Sequence, residues 1–166
     1  WLLFSFDTAN PGMQFVQTFH WVPALHINYL VGVDGISLWM VVLTAFLGLL
    51  AVMLSFSQKE GLRNFVALIL ALEAGTLGVF LALDTILFYV FWELMLVPTY
   101  FLIGIWGEGR RVYATMKFVI YTLVGSLLML VAIVSLTMVH YGATHDVTFD
   151  LRVLTLTHID PSMQIW

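Results

Sequence analysis

Residues 85–106 read TILFYVFWELMLVPTYFLIGIW, and Glu93 is the only charged side chain among them. A helix needs roughly 20 apolar residues to cross about 30 Å of hydrocarbon, so this stretch is read as spanning a membrane. Three more stretches of the same kind lie around it. Ile36 to Phe56 carries no charge, about Asn64 to Leu83 carries only Glu73, and about Val112 to Tyr141 carries only Lys117, near its start. The last is the longest and has length to spare for tilt.

Short connections make consecutive helices antiparallel neighbours, each satisfying its backbone polar groups internally. The expected fold is an all-α integral membrane bundle of four antiparallel transmembrane helices, at about 36–56, 64–83, 85–106 and 112–141. Segments 1–35 and 142–166 are then loops at the two ends. Composition agrees: of 166 residues 61% are hydrophobic and 10% charged, with a mean hydropathy of +1.00, far from the range of soluble domains. The net charge of −4 is scattered rather than gathered into a stripe, which gives no sign of a nucleic-acid partner and points to lipid and other helices. Because the chain has no cysteine, disulfides, thiolate-held iron–sulfur clusters and thiolate zinc sites are excluded from it.

Loop charges set an expected topology. Lys59 and Arg63 lie in the first connection and Arg110 and Arg111 in the third, while the ends contribute only Arg152. The first and third connections therefore face the cytoplasm and both ends lie outside. The ends, with Pro11, Gly12, Pro23, Asp146, Asp150 and Pro161, read as loop or surface-lying segments. Trp106, Tyr113 and Tyr141 fall at the interfaces that amphipathic rings prefer. Asp34 and Asp84 each stand just before a helix and read as caps, the alternative being proton access from the outer side. The chain runs from Trp1 to Trp166 without an initiating methionine and reads as a piece of a longer protein.

Glu93 sits about eight residues into its helix, ~12 Å deep at 1.5 Å per residue. A charge there costs on the order of 2.5 to 3.5 kcal/mol, so a partner or a water-filled cavity is expected; the alternative is a protonated acid joining helices. Pro98, five residues on, has no N–H for the carbonyl of Leu94, which predicts a kink and room for water. Glu73 and Glu93 stand at similar depth on adjacent helices. Either they face each other and titrate as a coupled pair, or Glu73 faces another helix. Lys117 either snorkels to the inner face or turns inward to exchange protons with Glu93 through water, direct contact being precluded by some 10 Å of depth. Glu73, Glu93 and Lys117 are thus the candidate proton-handling residues, with Glu108, Arg110 and Arg111 a solvated loop cluster that could feed Lys117.

Other chemistries lack their signatures. His20, His26, His140, His145 and His158 all lie in end segments or at a helix end, which disfavours a haem held between helices. His145 beside Asp146 is too little for a metal site. Gly107-Glu108-Gly109 follows no strand and is not a dinucleotide fingerprint, and no phosphate loop, HExxH or nucleophile elbow occurs.

The runs VDGISLWMVVLTAFLGLLAV from Val33, GVFLALDTILFYVFWELMLVPTYFLIGIWG from Gly78 and KFVIYTLVGSLLMLVAI from Lys117 resemble the antiporter-like M subunit of the bacterial proton-pumping NADH:quinone oxidoreductase, respiratory complex I. The likeness covers about Trp21 to Tyr141, and the FWELMLVPTYFLIG run carries most of its specificity. Mitochondrial and plastid counterparts, and the D subunit of multi-subunit sodium/proton antiporters, are more distant likenesses. The resemblance implies that these are the third to sixth helices of a fourteen-helix subunit in a bacterial inner membrane, with both ends of this piece on the periplasmic side. It implies proton translocation coupled to quinone reduction elsewhere, as part of an oxidoreductase and translocase, with other membrane-arm subunits as partners. NADH, FMN, iron–sulfur clusters and quinone would be bound by those other subunits and none by this chain. It also implies that Glu93 is the membrane glutamate whose lysine partner lies on the seventh helix, beyond this sequence, and that Lys117 occupies a lysine position seen in relatives.

Overall fold

The computed structural model describes residues 2–10, 12–58 and 60–157. Expectations resting on Trp1, Pro11, Lys59, His158, Pro161 and Trp166 fall outside the described residues.

The amino-terminal segment, expected as loop, contains a short helix α1 (Leu2–Ser5) and an antiparallel hairpin of β1 (Gln14–Val22) and β2 (Ile27–Val33). Aromatic and β-branched residues fill both strands, as pleated surfaces favour. The turn between them escapes sequence reading because its left-handed position, at φ 56°, is taken by His26 after the single turn Pro23–Leu25, not by glycine or asparagine. Ile27, Leu30 and Val33 of β2 are buried inward.

Four long apolar helices follow, as the hydropathy requires. Asp34 begins α2 (Gly35–Ser55): its Oδ1 accepts the N–H groups of Ile36 at 3.1 Å and Ser37 at 2.7 Å, and Ser37 Oγ accepts the Asp34 N–H at 2.9 Å. This reciprocal box satisfies orphan donors of the first turn. The second helix, α3 (Leu62–Leu81), starts after Gly61 in left-handed backbone at φ 64°. The third span is broken as Pro98 predicts, into α4 (Thr85–Leu94) and α5 (Leu96–Trp106), with the interruption at Met95. A proline ring clashes with the carbonyl four residues earlier, here Leu94, and offers it no hydrogen, so the helix is interrupted next to Leu94. The fourth, α6 (Arg111–Thr144), has 34 residues, ~51 Å at 1.5 Å each, well over the hydrocarbon thickness. A short α7 (Leu151–Leu154) closes the described chain.

The bundle is open. Among the helices α2 packs on α3, α3 packs on α4 and α5, and α6 packs on α5 and α4. Gly75 and Gly78 let α3 approach the next span closely, because a Cβ at Gly78 would strike the Phe91 ring and one at Gly75 the Met95 side chain. At one end of the bundle the 82–85 turn is pinned from both sides: Leu83 N–H donates to Leu30 O at 2.9 Å, Thr85 N–H to Phe149 O at 2.8 Å, and Leu151 N–H to Leu83 O at 2.8 Å. At the other end Trp106 Nε1 donates to Glu60 O at 3.0 Å and packs edge-on against Phe65, joining the first and third connections.

Candidate functional site

Glu93 occupies the last turn of α4, immediately before the break at Met95. Its Oε1 is buried and has no hydrogen-bond partner among the described residues. One turn earlier, the Tyr89 hydroxyl interacts with the Glu93 carboxyl and with Ser126 of α6. Ser126 is itself buried and donates to Leu123 O at 3.1 Å. A carboxyl group, a phenol and a hydroxyl thus cross from α4 to α6 inside the apolar layer. Each can take or give a proton, and the carboxyl keeps an unused acceptor, which an apolar interior tolerates only where a proton, a water or a further donor serves it.

The break next to this carboxyl is held in place by Thr99, whose Oγ1 and N–H both donate to Met95 O, at 2.7 Å and 3.3 Å. Thr76 of α3 donates to Leu72 O at 2.8 Å and touches Met95 Sδ at 3.2 Å, which brackets the interruption from the other side. Pro98 is buried in α5, so the kink is packed rather than left free.

Glu73 is placed differently. Its carboxyl lies against Gly48 of α2, where a Cβ would fall onto it, in a groove bounded by Thr44, Leu47, Ala51, Leu72 and Thr76. The glycines that face α4 and α5, Gly75 and Gly78, are on another side of α3 from Glu73, which shares the groove face with α2. Of the two readings open from sequence, the structure takes the one in which Glu73 faces a different helix, and the two carboxyls have separate surroundings. Lys117 is exposed on α6 in a depression with Tyr113, Ala114, Phe118 and Tyr121. It precedes Ser126 by nine residues, about two and a half turns at 3.6 residues per turn, so it points away from the Glu93 face. The structure therefore brings none of the three candidates into contact with another.

Tyr89 and Ser126 were not singled out from the sequence. Tyr89 had a usable signal, since a residue four before a membrane carboxylate lies over it on a helix. Ser126 had a fainter one: Thr115, Ser126 and Thr137 recur at eleven residues, close to three turns, and all three are buried. Asp84 proves to be a cap, accepting from Ile86 N–H at 2.9 Å and Leu87 N–H at 3.1 Å, and also accepts Asn28 N–H at 3.0 Å. His140, buried near the end of α6, contacts Thr157 Oγ1 through Nδ1 at 2.7 Å and fastens the segment after α7.

A kinked membrane helix with a buried carboxyl oxygen lacking a partner beside two hydroxyls defines a multi-span membrane protein with a polar cluster in its interior. Residues 82–164 match the family described as NADH:quinone oxidoreductase/Mrp antiporter, TM, and the chain belongs to that family. It is 48% identical over 165 residues to the NADH-quinone oxidoreductase subunit M of Rhodobacter capsulatus, covering 99% of this chain and 31% of that protein. It is 42% identical over 153 residues to the F(420)H(2) dehydrogenase subunit M of Methanosarcina mazei, covering 90% of this chain and 30% of the relative. The fold is similar to a chain of respiratory complex I from Thermus thermophilus with bound NADH, at a TM-score of 0.77 and 31% identity, covering 96% of this chain and 32% of that one. The chain spans about a third of the length of the curated relatives it matches.

Proposed function

We propose that this chain is part of the proton-translocating membrane arm of a quinone-reducing dehydrogenase complex, with Glu93 as the group whose proton occupancy changes during turnover. The observation that carries the reading is the buried Glu93 Oε1 without a partner, beside Tyr89 and Ser126 and next to the Met95 break. Proton uptake makes Glu93 a neutral acid suited to its apolar surroundings. A cation brought near it favours the carboxylate and releases the proton. Moving a charge against 100 mV takes roughly 2.3 kcal/mol, and one pKa unit is 1.36 kcal/mol, so a swing of about two units suffices. The cation is proposed to come from outside the described residues, because Lys117 is turned away. Lys117 would act on the opposite face of α6, toward whatever covers it, and Glu73 in its own groove.

The electron donor and quinone would be handled by other subunits, together with any flavin or iron–sulfur cluster, and the membrane-arm subunits would be the partners. Two relatives named for different electron donors support this division, since the membrane chain is shared while the donor changes. Arg63, Arg110 and Arg111 stand at one end of the bundle and Arg152 at the other, which favours a topology with the first and third connections inward and the hairpin, the 82–85 turn and α7 outward.

The test is NADH-driven proton uptake by inverted vesicles carrying the full-length subunit, comparing wild type with Glu93→Gln at equal assembly of the complex. Loss of uptake with intact assembly is expected; undiminished uptake would return Glu93 to a helix-joining role. The family description also includes Mrp antiporters, and that second reading predicts exchange that depends on sodium and persists without NADH or quinone.

A further inference from the structure

We infer that the groove between α2 and α3 around Glu73 is the docking surface of a further membrane helix, which brings a lysine or arginine to the depth of this carboxylate. The inference does not depend on proton translocation. It follows from how Glu73 is seated and from what is absent around it.

Glu73 lies eleven residues after the start of α3 and eight before its end, so ~16 Å and ~12 Å from the two ends, in the middle of the span. The missing Cβ of Gly48 provides the space in which the carboxyl rests against α2. Nothing among the described residues hydrogen-bonds or ion-pairs with it. The two hydroxyls of the groove are already committed to their own helices, Thr44 Oγ1 donating to Met40 O at 2.8 Å and Thr76 Oγ1 to Leu72 O at 2.8 Å. No basic side chain of the described chain is placed to reach it. Arg63 is ten residues, ~15 Å, away on the same helix, Lys117 is on α6, which does not pack on α2, and Arg152 pairs with Asp150 at 2.6 Å.

The wall beside the groove is equally unserved. Leu43, Leu47, Leu50 and Leu54, a stripe of α2 spaced i, i+4, i+7 and i+11 beside the groove, are exposed, and the chain spans about 30% of its relatives' length, so the relatives have length for a helix that would cover them. A lipid tail would cover that wall but would leave a mid-membrane acid without a donor, which is costly. A helix carrying a cation covers the wall and supplies both charge and several donors to an acceptor-only group. Charge complementarity therefore selects a basic helix as the occupant.

The full-length protein in its native membrane provides the test. A photoreactive benzoylphenylalanine in place of Leu47 should crosslink to a transmembrane segment bearing a lysine or arginine. In wild-type membranes dicyclohexylcarbodiimide, which attacks protonated carboxyls in apolar surroundings, should leave Glu73 unmodified, as read by peptide mass spectrometry. Replacing the crosslinked segment's basic residue by glutamine should raise that labelling at least about ten-fold. Labelling of Glu73 in the wild type, crosslinks to lipid only, or a covering segment without a basic residue would each overturn the inference.

Discussion

The carboxylate of Asp84 joins two parts of the chain 56 residues apart: Oδ2 accepts the Asn28 N–H at 3.0 Å while Oδ1 caps α4 through Ile86 and Leu87. Asp84 is 1% exposed, so the link is sheltered from water and fastens the hairpin to the turn between α3 and α4. That turn also carries α4, and α4 carries Glu93, so the hairpin and the 82–85 turn together set the position of the membrane carboxyl.

Replacing Asp84 by alanine removes the acceptor for all three N–H groups. A cap is worth about 1 kcal/mol and a hydrogen bond to a charged group about 1.5 to 3 kcal/mol, so a local loss of about 2 to 4 kcal/mol is expected. Hydrogen exchange of the full-length protein should accelerate at Asn28, Ile86 and Leu87 together, and Asp84→Asn should recover much of the protection.

Pro98→Ala gives the Leu94 carbonyl an N–H partner and removes the ring that clashes with it. A continuous helix from 85 to 106 is the expected product, with slower exchange around Met95. Glu93 would rotate relative to Ser126, so proton uptake should fall even as the helix gains stability. Full uptake in a straightened helix would mean that the break has no part in the site.

Tyr89→Phe deletes the hydroxyl between Glu93 and Ser126 while keeping the ring. If the hydroxyl serves the carboxyl during transfer, proton uptake should drop about ten-fold or more at unchanged assembly. The pH profile of uptake should shift with it; an unaltered rate and profile would take Tyr89 off the path.

Acid should loosen the start of α2 and the segment around α7. The Ser37 N–H, with further bonds at the start of α2, holds the Asp34 carboxyl below the usual range; for Asp150, burial pushes upward but the bonds from Arg152 outweigh it and the net shift is also downward. A carboxyl depressed in the folded state contributes stability that is fully present above its unfolded value, about 3.9, and is lost as pH falls through the folded one. Exchange at the Ser37 and Arg152 amides should therefore be steady from neutral pH to about 5 and rise below about 4.

The four spans, the break at Pro98 and the caps at Asp34 and Asp84 were legible because each depends on neighbours within a few residues: apolar run length, a missing N–H, a carboxylate before a first turn. Glu93 was legible as a candidate for the same reason, since an isolated charge in an apolar run is visible without knowing what surrounds it. The hairpin was missed because His26 takes a turn position usually marked by glycine or asparagine, and because its anchorage to Leu83 and Asp84 is long-range.

By itself the sequence determined that this chain lives in a membrane and which few side chains are costly enough there to need a partner, since hydrophobic run length and charge are local quantities. Only the tertiary structure decided that Glu73 lies on Gly48 and away from Glu93, that Lys117 turns outward, and that Tyr89 and Ser126 complete the Glu93 site. Those facts are set by the rotation of each helix about its axis, and that rotation is fixed by packing between helices: the close approach allowed at Gly48, Gly75 and Gly78, and the break at Met95.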